Sequence, residues 1–101
     1  MAEFLRLYQS AVAPADVEEM KRLFLDDVVP AFQRAEGCLG LELAVTVHAN
    51  AGGLVEGTAI SRWASLEHMD AAVTSRGVQE ALVRVRQLLR QEPVSKVLEV
   101  L

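Results

Sequence analysis

The stretch Leu54–Val73, LVEGTAISRWASLEHMDAAV, decides the fold, because within it a strand passes straight into a helix. Leu54 to Ala64 is rich in β-branched and apolar residues and free of proline, the composition of a strand. Ser65 stands where a helix needs its cap, and Leu66, Met69 and Val73 recur behind it on one helical face. Trp63, the only tryptophan, sits where sheet hands over to helix. On this strand Val55, Gly57, Ala59, Ser61 and Trp63 share one face, and Leu54, Glu56, Thr58, Ile60 and Arg62 share the other.

The N-terminal side supplies a strand, a long helix and a second strand. Glu3 to Val12 alternates, with Phe4, Arg6, Tyr8 and Ser10 on one face and Leu5, Leu7, Gln9 and Ala11 on the other. Pro14 stops it, and Asp16 with Glu19 three residues on predicts a capping-box start to a helix. Val17, Met20, Phe24, Val28, Ala31, Phe32 and Ala35 then recur at helical spacing. Pro30 interrupts that run and predicts a kink or break, because it removes one backbone bond and crowds the carbonyl of Asp26. Gly37 provides the left-handed residue that ends the helix. Cys38 to His48 is the second strand, with Leu39, Leu41, Leu43, Val45 and Val47 expected as one apolar stripe. Asn50 to Gly53 turns the chain back into the Leu54 strand as a hairpin.

On the C-terminal side, Ser75, Arg76 and Gly77 read as a break before an amphipathic helix carrying Val78, Ala81, Leu82, Val85, Leu88 and Leu89 on one face. Glu80 and Arg84 are spaced for an ion pair along it. Pro93 ends the helix, and Val94 to Leu101 is too apolar to be a free tail and reads as the last strand. The order is β-α-β-β-α-β, an α+β antiparallel sheet with helices on one face. Neither face of the hairpin is cleanly polar. Helices cover one side, and the other is expected to meet a second copy of the sheet in a homodimer.

Composition excludes several classes of function. The 101 residues suit a single domain spanning 1–101, able to bury roughly two thirds of its unfolded surface without metal or disulfide. Hydrophobic residues at 51% are slightly in excess, which again favours a partner subunit. A net charge of −4 with no basic run argues against nucleic acid and anionic membranes. Cys38 is the single cysteine and no stretch approaches the ~20 apolar residues of a membrane span, so a reducing, cytoplasmic setting is expected. His48, His68 and Cys38 have no metal-ligand spacing, and Gly52–Gly53 lies in a hairpin turn rather than a phosphate loop, so neither a metal site nor a phosphate-binding loop is expected.

Few residues remain as candidates for chemistry. Tyr8, with an apolar body and a polar tip, suits a cleft wall as well as a core. His48 at a strand end and His68 early in the short helix are proton-transfer candidates, against the simpler role of surface or capping side chains. Ser65 reads as a helix cap. Arg62, opposite Trp63, is expected to pair with Glu42 or Glu56. Trp63 marks the wall of any cavity between sheet and helices.

Pro14 before an acidic helix start, the turn Glu36-Gly37-Cys38-Leu39-Gly40, and Arg62-Trp63-Ala64-Ser65 followed by a short helix and Ser75 resemble the antibiotic biosynthesis monooxygenase family across nearly the whole chain. The resemblance implies a ferredoxin-like fold paired into a dimeric α+β barrel. It also implies a small aromatic or polyketide-like substrate, oxidised by molecular oxygen without metal or flavin in an apolar pocket. Trp63 matches the tryptophan of that pocket, and Ala59, Met69, Phe24 and Leu82 are the accompanying substrate-binding expectations. Two positions depart from the pattern. Ala59 stands where the quinone-forming enzymes have an asparagine, and Met69 where they have a tyrosine. The haem-degrading branch has a histidine at about Ala72 or Val73, so haem degradation is not expected. Tyr8, His48, His68 and Trp63 are the catalytic candidates. The alternatives are a non-catalytic binding module, or a cyclase or isomerase on the same barrel.

Overall fold

The computed structural model describes residues 3–101; Met1 and Ala2, the first positions of the expected domain, lie outside the described residues. Four strands, β1 (Glu3–Val12), β2 (Cys38–Val45), β3 (Val55–Trp63) and β4 (Val94–Val100), form one antiparallel sheet in the order β2-β3-β1-β4. The crossovers are helical: α1 (Val17–Leu23) and α2 (Val29–Gln33) after β1, then α3 (Leu66–Val73) and α4 (Arg76–Leu88) after β3. This is the ferredoxin-like α+β arrangement, and the sheet is open rather than closed.

Register fixes the two faces. Phe4 lies opposite Trp63, Tyr8 opposite Ala59, and Leu43 opposite Ala59 from the other side. Period-two alternation therefore gathers Phe4, Arg6, Tyr8, Ser10, Leu41, Leu43, Ala59, Ser61 and Trp63 on the face that the helices cover. There Phe24, Val28, Ala31 and Phe32 pack with Trp63, Met69, Ala72 and Val78 into the core. Trp63 is fully buried, its ring tilted against Phe32 at 6.0 Å between centroids.

Several local expectations are corrected. Asp16 makes no side-chain cap bond, because Pro14–Asp16 is a 3-10 turn and Asp16 lacks the extended backbone that a capping residue needs. Of the kink or break expected at Pro30, no break occurs and the helix is instead interrupted just before the proline. A five-residue π-helical stretch, Phe24–Val28, precedes it, and the Val29 N–H reaches back to the Phe24 carbonyl; this widened turn absorbs the missing proline donor. The stripe on β2 is shorter than expected. A bulge between Cys38 and Gly40 turns Leu39 outward, the strand ends at Val45, and Val47 is 90% exposed. Leu41 and Leu43 belong to the helix-covered face. Arg76 and Gly77 are helical rather than a break, since Ser75 already caps α4 by accepting the Val78 N–H. Arg76, not Arg84, pairs with Glu80 at 2.8 Å.

Other junctions match the sequence. Ser65 caps α3 by accepting the His68 N–H at 3.1 Å. Gly37 has φ +83°, and a Cβ there would lie 2.3 Å from His68 Cγ, so glycine serves both the backbone turn and the close approach. Asn50 organises the hairpin loop, its side-chain oxygen accepting the N–H groups of Gly52 and Leu54.

The opposite face of the sheet is uncovered within the chain. Leu5, Leu7, Ile60, Leu98 and Val100 share it by register, and β4 is exposed along its whole length. Arg62 lies on this face and pairs with Glu3 at 2.6 Å, rather than with Glu42 or Glu56. Glu56 is held instead by Asn50 at 3.0 Å. Among the described residues, no helix is long and apolar enough to cross a membrane.

Candidate functional site

The alternation of β1 places Arg6, Tyr8, Ser10 and Val12 toward the helices, and β3 brings Gly57, Ala59 and Ser61 alongside them. Above this floor, Met20, Phe24, Val28 and Phe32 descend from the first crossover and Leu82, Val85 and Leu89 from the end of the second. A cavity of about 60 Å³ remains between the layers. Its walls are nearly all aliphatic or aromatic, because both helical crossovers present their apolar stripes to it. Gly57 and Ala59 leave it open: a Cβ on Gly57 would meet only Met20 at 3.6 Å and Leu43 at 3.8 Å.

Four polar side chains reach this cavity, and two are already committed. Ser10 Oγ donates to the Gln91 carbonyl at 2.7 Å, fixing the segment after α4 to β1. Ser61 Oγ accepts the Trp63 indole N–H at 2.8 Å. Tyr8 and Arg6 remain. Every buried side-chain polar atom among the described residues has a hydrogen-bond partner, and the Tyr8 hydroxyl makes none, so that hydroxyl opens to solvent. The Arg6 guanidinium lies 5.3 Å from the Tyr8 ring centroid, at cation–π distance. Burial pushes its pKa below the usual arginine value; the nearby Tyr8 opposes that shift and the positive Arg86 adds to it.

The sequence candidates separate on this geometry. Tyr8, Phe24, Ala59 and Leu82 line the cavity together. Trp63 does not: it is sealed beneath the wall and acts on it through Ser61 and Phe32. Met69 is buried in the core on α3, away from the cavity. His48 is exposed, beyond the end of β2. His68 faces a separate hollow between α2, α3 and α4; its Nδ1 lies 2.8 Å from Ser65 Oγ, and its Nε2 lies 3.7 Å from the exposed Glu36. Cys38 is half-buried beside the core, and burial raises its thiol pKa, the opposite of what a reactive cysteine shows. Among the described residues, no group of three or more His, Cys, Asp or Glu side chains is placed to hold a metal.

Arg6 is the residue that sequence reasoning passed over. Its signal was present in the alternation: a full positive charge on the same strand face as Phe4, Tyr8 and Val12 cannot simply be a solvated surface residue. Ser10 carried no such signal, because its importance lies in a distant partner at Gln91, and Ser61 matters through the indole N–H of Trp63, two residues along the same strand face.

No protein-family profile matches the sequence, and no curated protein matches it at a significant level. Solved structures do match the fold. A protein from Caulobacter crescentus assigned to the antibiotic biosynthesis monooxygenases superposes with TM-score 0.80 at 18% identity, over 99% of this chain and 91% of that one. A Bordetella bronchiseptica protein with the same assignment gives TM-score 0.79 at 19% identity, over 100% and 99%. SnoaB, a cofactor-independent oxygenase from Streptomyces nogalater, gives 0.71 at 17% identity, over 95% and 90%. The chain thus has the fold of the antibiotic biosynthesis monooxygenases over nearly its whole length.

Proposed function

We propose that this chain is a cofactor-independent monooxygenase acting on a small aromatic or polyketide-like substrate in the cavity between sheet and helices. The observation that carries the reading is the cavity itself: apolar walls where, among the described residues, the polar side chains of Tyr8 and Arg6 make no short internal hydrogen bond, on a fold shared with a cofactor-independent oxygenase. Such a cavity suits a reaction in which the substrate activates oxygen. An acidic ring methylene loses its proton, and the resulting carbanion transfers electrons to dioxygen. The hydroperoxide then eliminates water, so CH₂ plus O₂ becomes C=O plus H₂O. The protein's share is to hold the ring, exclude water and orient the reacting carbon. The Tyr8 hydroxyl is the group in reach of a substrate oxygen, and Trp63 stiffens the wall from behind.

At about 60 Å³ the cavity takes one edge of a fused-ring substrate. The remainder lies along the uncovered inner side of β4, where Val97 stands opposite Arg6 and is 48% exposed. The working form is a cytoplasmic homodimer in which the face bearing Leu5, Leu7, Ile60, Leu98 and Val100 packs on its copy, the two sheets building the barrel. At ~25 cal/mol per Å² of apolar surface, a few hundred Å² on each subunit amounts to roughly 10 kcal/mol before association costs.

Oxygen uptake with a panel of hydroxylated anthrones and naphthols tests the activity: uptake above the buffer rate is expected, and none from folded protein refutes it. One observation favours a binding module instead. Ala59 puts a methyl where the resemblance calls for an amide, and Ser10 and Ser61 are both occupied internally. Tight binding of the same compounds without oxygen uptake would establish that reading.

A further inference from the structure

Of the arginines among the described residues, Arg6 is the half-buried one that faces the cavity; the others are exposed, and three of them are paired. Arg62 pairs with Glu3, Arg22 with Glu19 and Asp26, and Arg76 with Glu80. Among the described residues no carboxylate pairs with Arg6. Its contacts are the Tyr8 ring and a long hydrogen bond to Ser95 Oγ at 3.5 Å. Holding a charge partly out of water without a counter-ion is unfavourable. Arg86 on α4 adds a second positive charge nearby and increases that cost. Apart from the contact with the Tyr8 ring, nothing in the arrangement offsets that cost in the free chain, and it leaves a planar donor fork at the edge of an apolar cavity. A guanidinium fork matches a carboxylate with two parallel hydrogen bonds, and the missing counter-ion is what such a ligand would supply.

We propose that Arg6 is the anchor for a carboxylate on the ligand, so that the site selects aromatic or polyketide-like acids over neutral compounds of the same shape. The inference rests on the small-molecule reading of the cavity but not on oxidation. The apolar body of the ligand enters between Phe24, Ala59 and Leu82, and its carboxylate stays at the mouth between Arg6 and Ser95. Arg86 draws anions toward that mouth without touching the ligand. Outside the cavity, the Ser65–His68–Glu36 cluster is a local helix cap with its carboxylate in solvent, on a more open hollow between α2, α3 and α4.

Isothermal titration of the protein with 1-naphthoate and with 1-naphthylmethanol tests the proposal. The acid should bind at least tenfold more tightly than the alcohol, a difference of ~1.4 kcal/mol. Arg6→Gln should abolish that preference while leaving the affinity for the alcohol unchanged. Arg6→Lys should keep part of the preference, since charge remains but the fork is lost. Circular dichroism and a thermal melt establish that each variant is folded. Should Arg6→Gln fail to fold, Arg6→Lys and the salt dependence of naphthoate binding carry the test, the preference being expected to weaken as salt screens the mouth. Equal affinities for the two compounds, a preference that survives Arg6→Gln, or binding of neither compound would overturn the proposal. Failure of oxygen uptake alongside acid selectivity would refute the monooxygenase and leave the anchor standing.

Discussion

Replacing Gly57 by alanine should stabilise the protein while weakening its ligand site, an unusual pairing of signs for a residue in the middle of a central strand. Gly57 has an ordinary negative φ, so alanine adopts its backbone without strain. The added Cβ would meet Met20 Sδ and Cε at 3.6 Å and Leu43 Cδ1 at 3.8 Å, which are normal van der Waals contacts. Loss of unfolded-state freedom favours alanine by ~0.4–1 kcal/mol. Burial of one methyl adds up to ~0.8 kcal/mol, less what the half-open wall leaves in water. The net gain is about 1 kcal/mol, or roughly 4–8 °C in Tm for a domain of this size. The same methyl projects into a cavity of only about 60 Å³, next to two of its lining side chains. Affinity for a naphthyl ligand should fall about tenfold, the ~1.4 kcal/mol expected from modest overpacking. Urea unfolding followed by the fluorescence of Trp63 reads the first effect, and calorimetric titration reads the second. A destabilised variant, or one that binds the ligand as tightly as the parent, would refute the idea that the space at Gly57 is kept open for a ligand.

Gly37→Ala should lose about 2 kcal/mol or more, combining the ~1–2 kcal/mol of a left-handed residue with displacement of the His68 ring; an unchanged urea midpoint would contradict this. Leu7→Asp, at the centre of the open sheet face, should convert the proposed dimer to a species near 11.0 kDa by light scattering at micromolar concentration. A parent protein that already has that mass would remove the sheet-to-sheet interface from the account.

The element order, and most boundaries to within a residue or two, were legible because each strand and helix carries a strong period and a clear terminator. Pro14, Gly37 and Ser65 act locally, and local chemistry can be read from neighbours. The errors arose where one residue answers to distant ones. Leu39 leaves the β2 stripe because a bulge is needed to bring Cys38 opposite Trp63. Pro30 remains helical because the preceding five residues widen to accommodate it. The open sheet face was expected because neither face of the hairpin is cleanly polar, and strand register decides which side chains form it. Leu41, Leu43, Ala59 and Trp63 are under the helices, and Leu5, Leu7, Ile60 and Leu98 form the exposed face. Of the side chains that line the cavity, Tyr8 was expected from its apolar body and polar tip, and Phe24, Ala59 and Leu82 from the family resemblance. Trp63 belongs behind the wall because its indole N–H has a buried partner in Ser61, two residues away on the same strand face.

The proposed activity is tested most directly by incubating the metal-free protein with an anthrone under heavy-isotope dioxygen and weighing the quinone formed. A cofactor-independent monooxygenase predicts a new carbonyl carrying one labelled oxygen atom, formed well above the protein-free rate and unaffected by a chelator. Unlabelled quinone, a chelator-sensitive reaction, or turnover no faster than in buffer alone would contradict it.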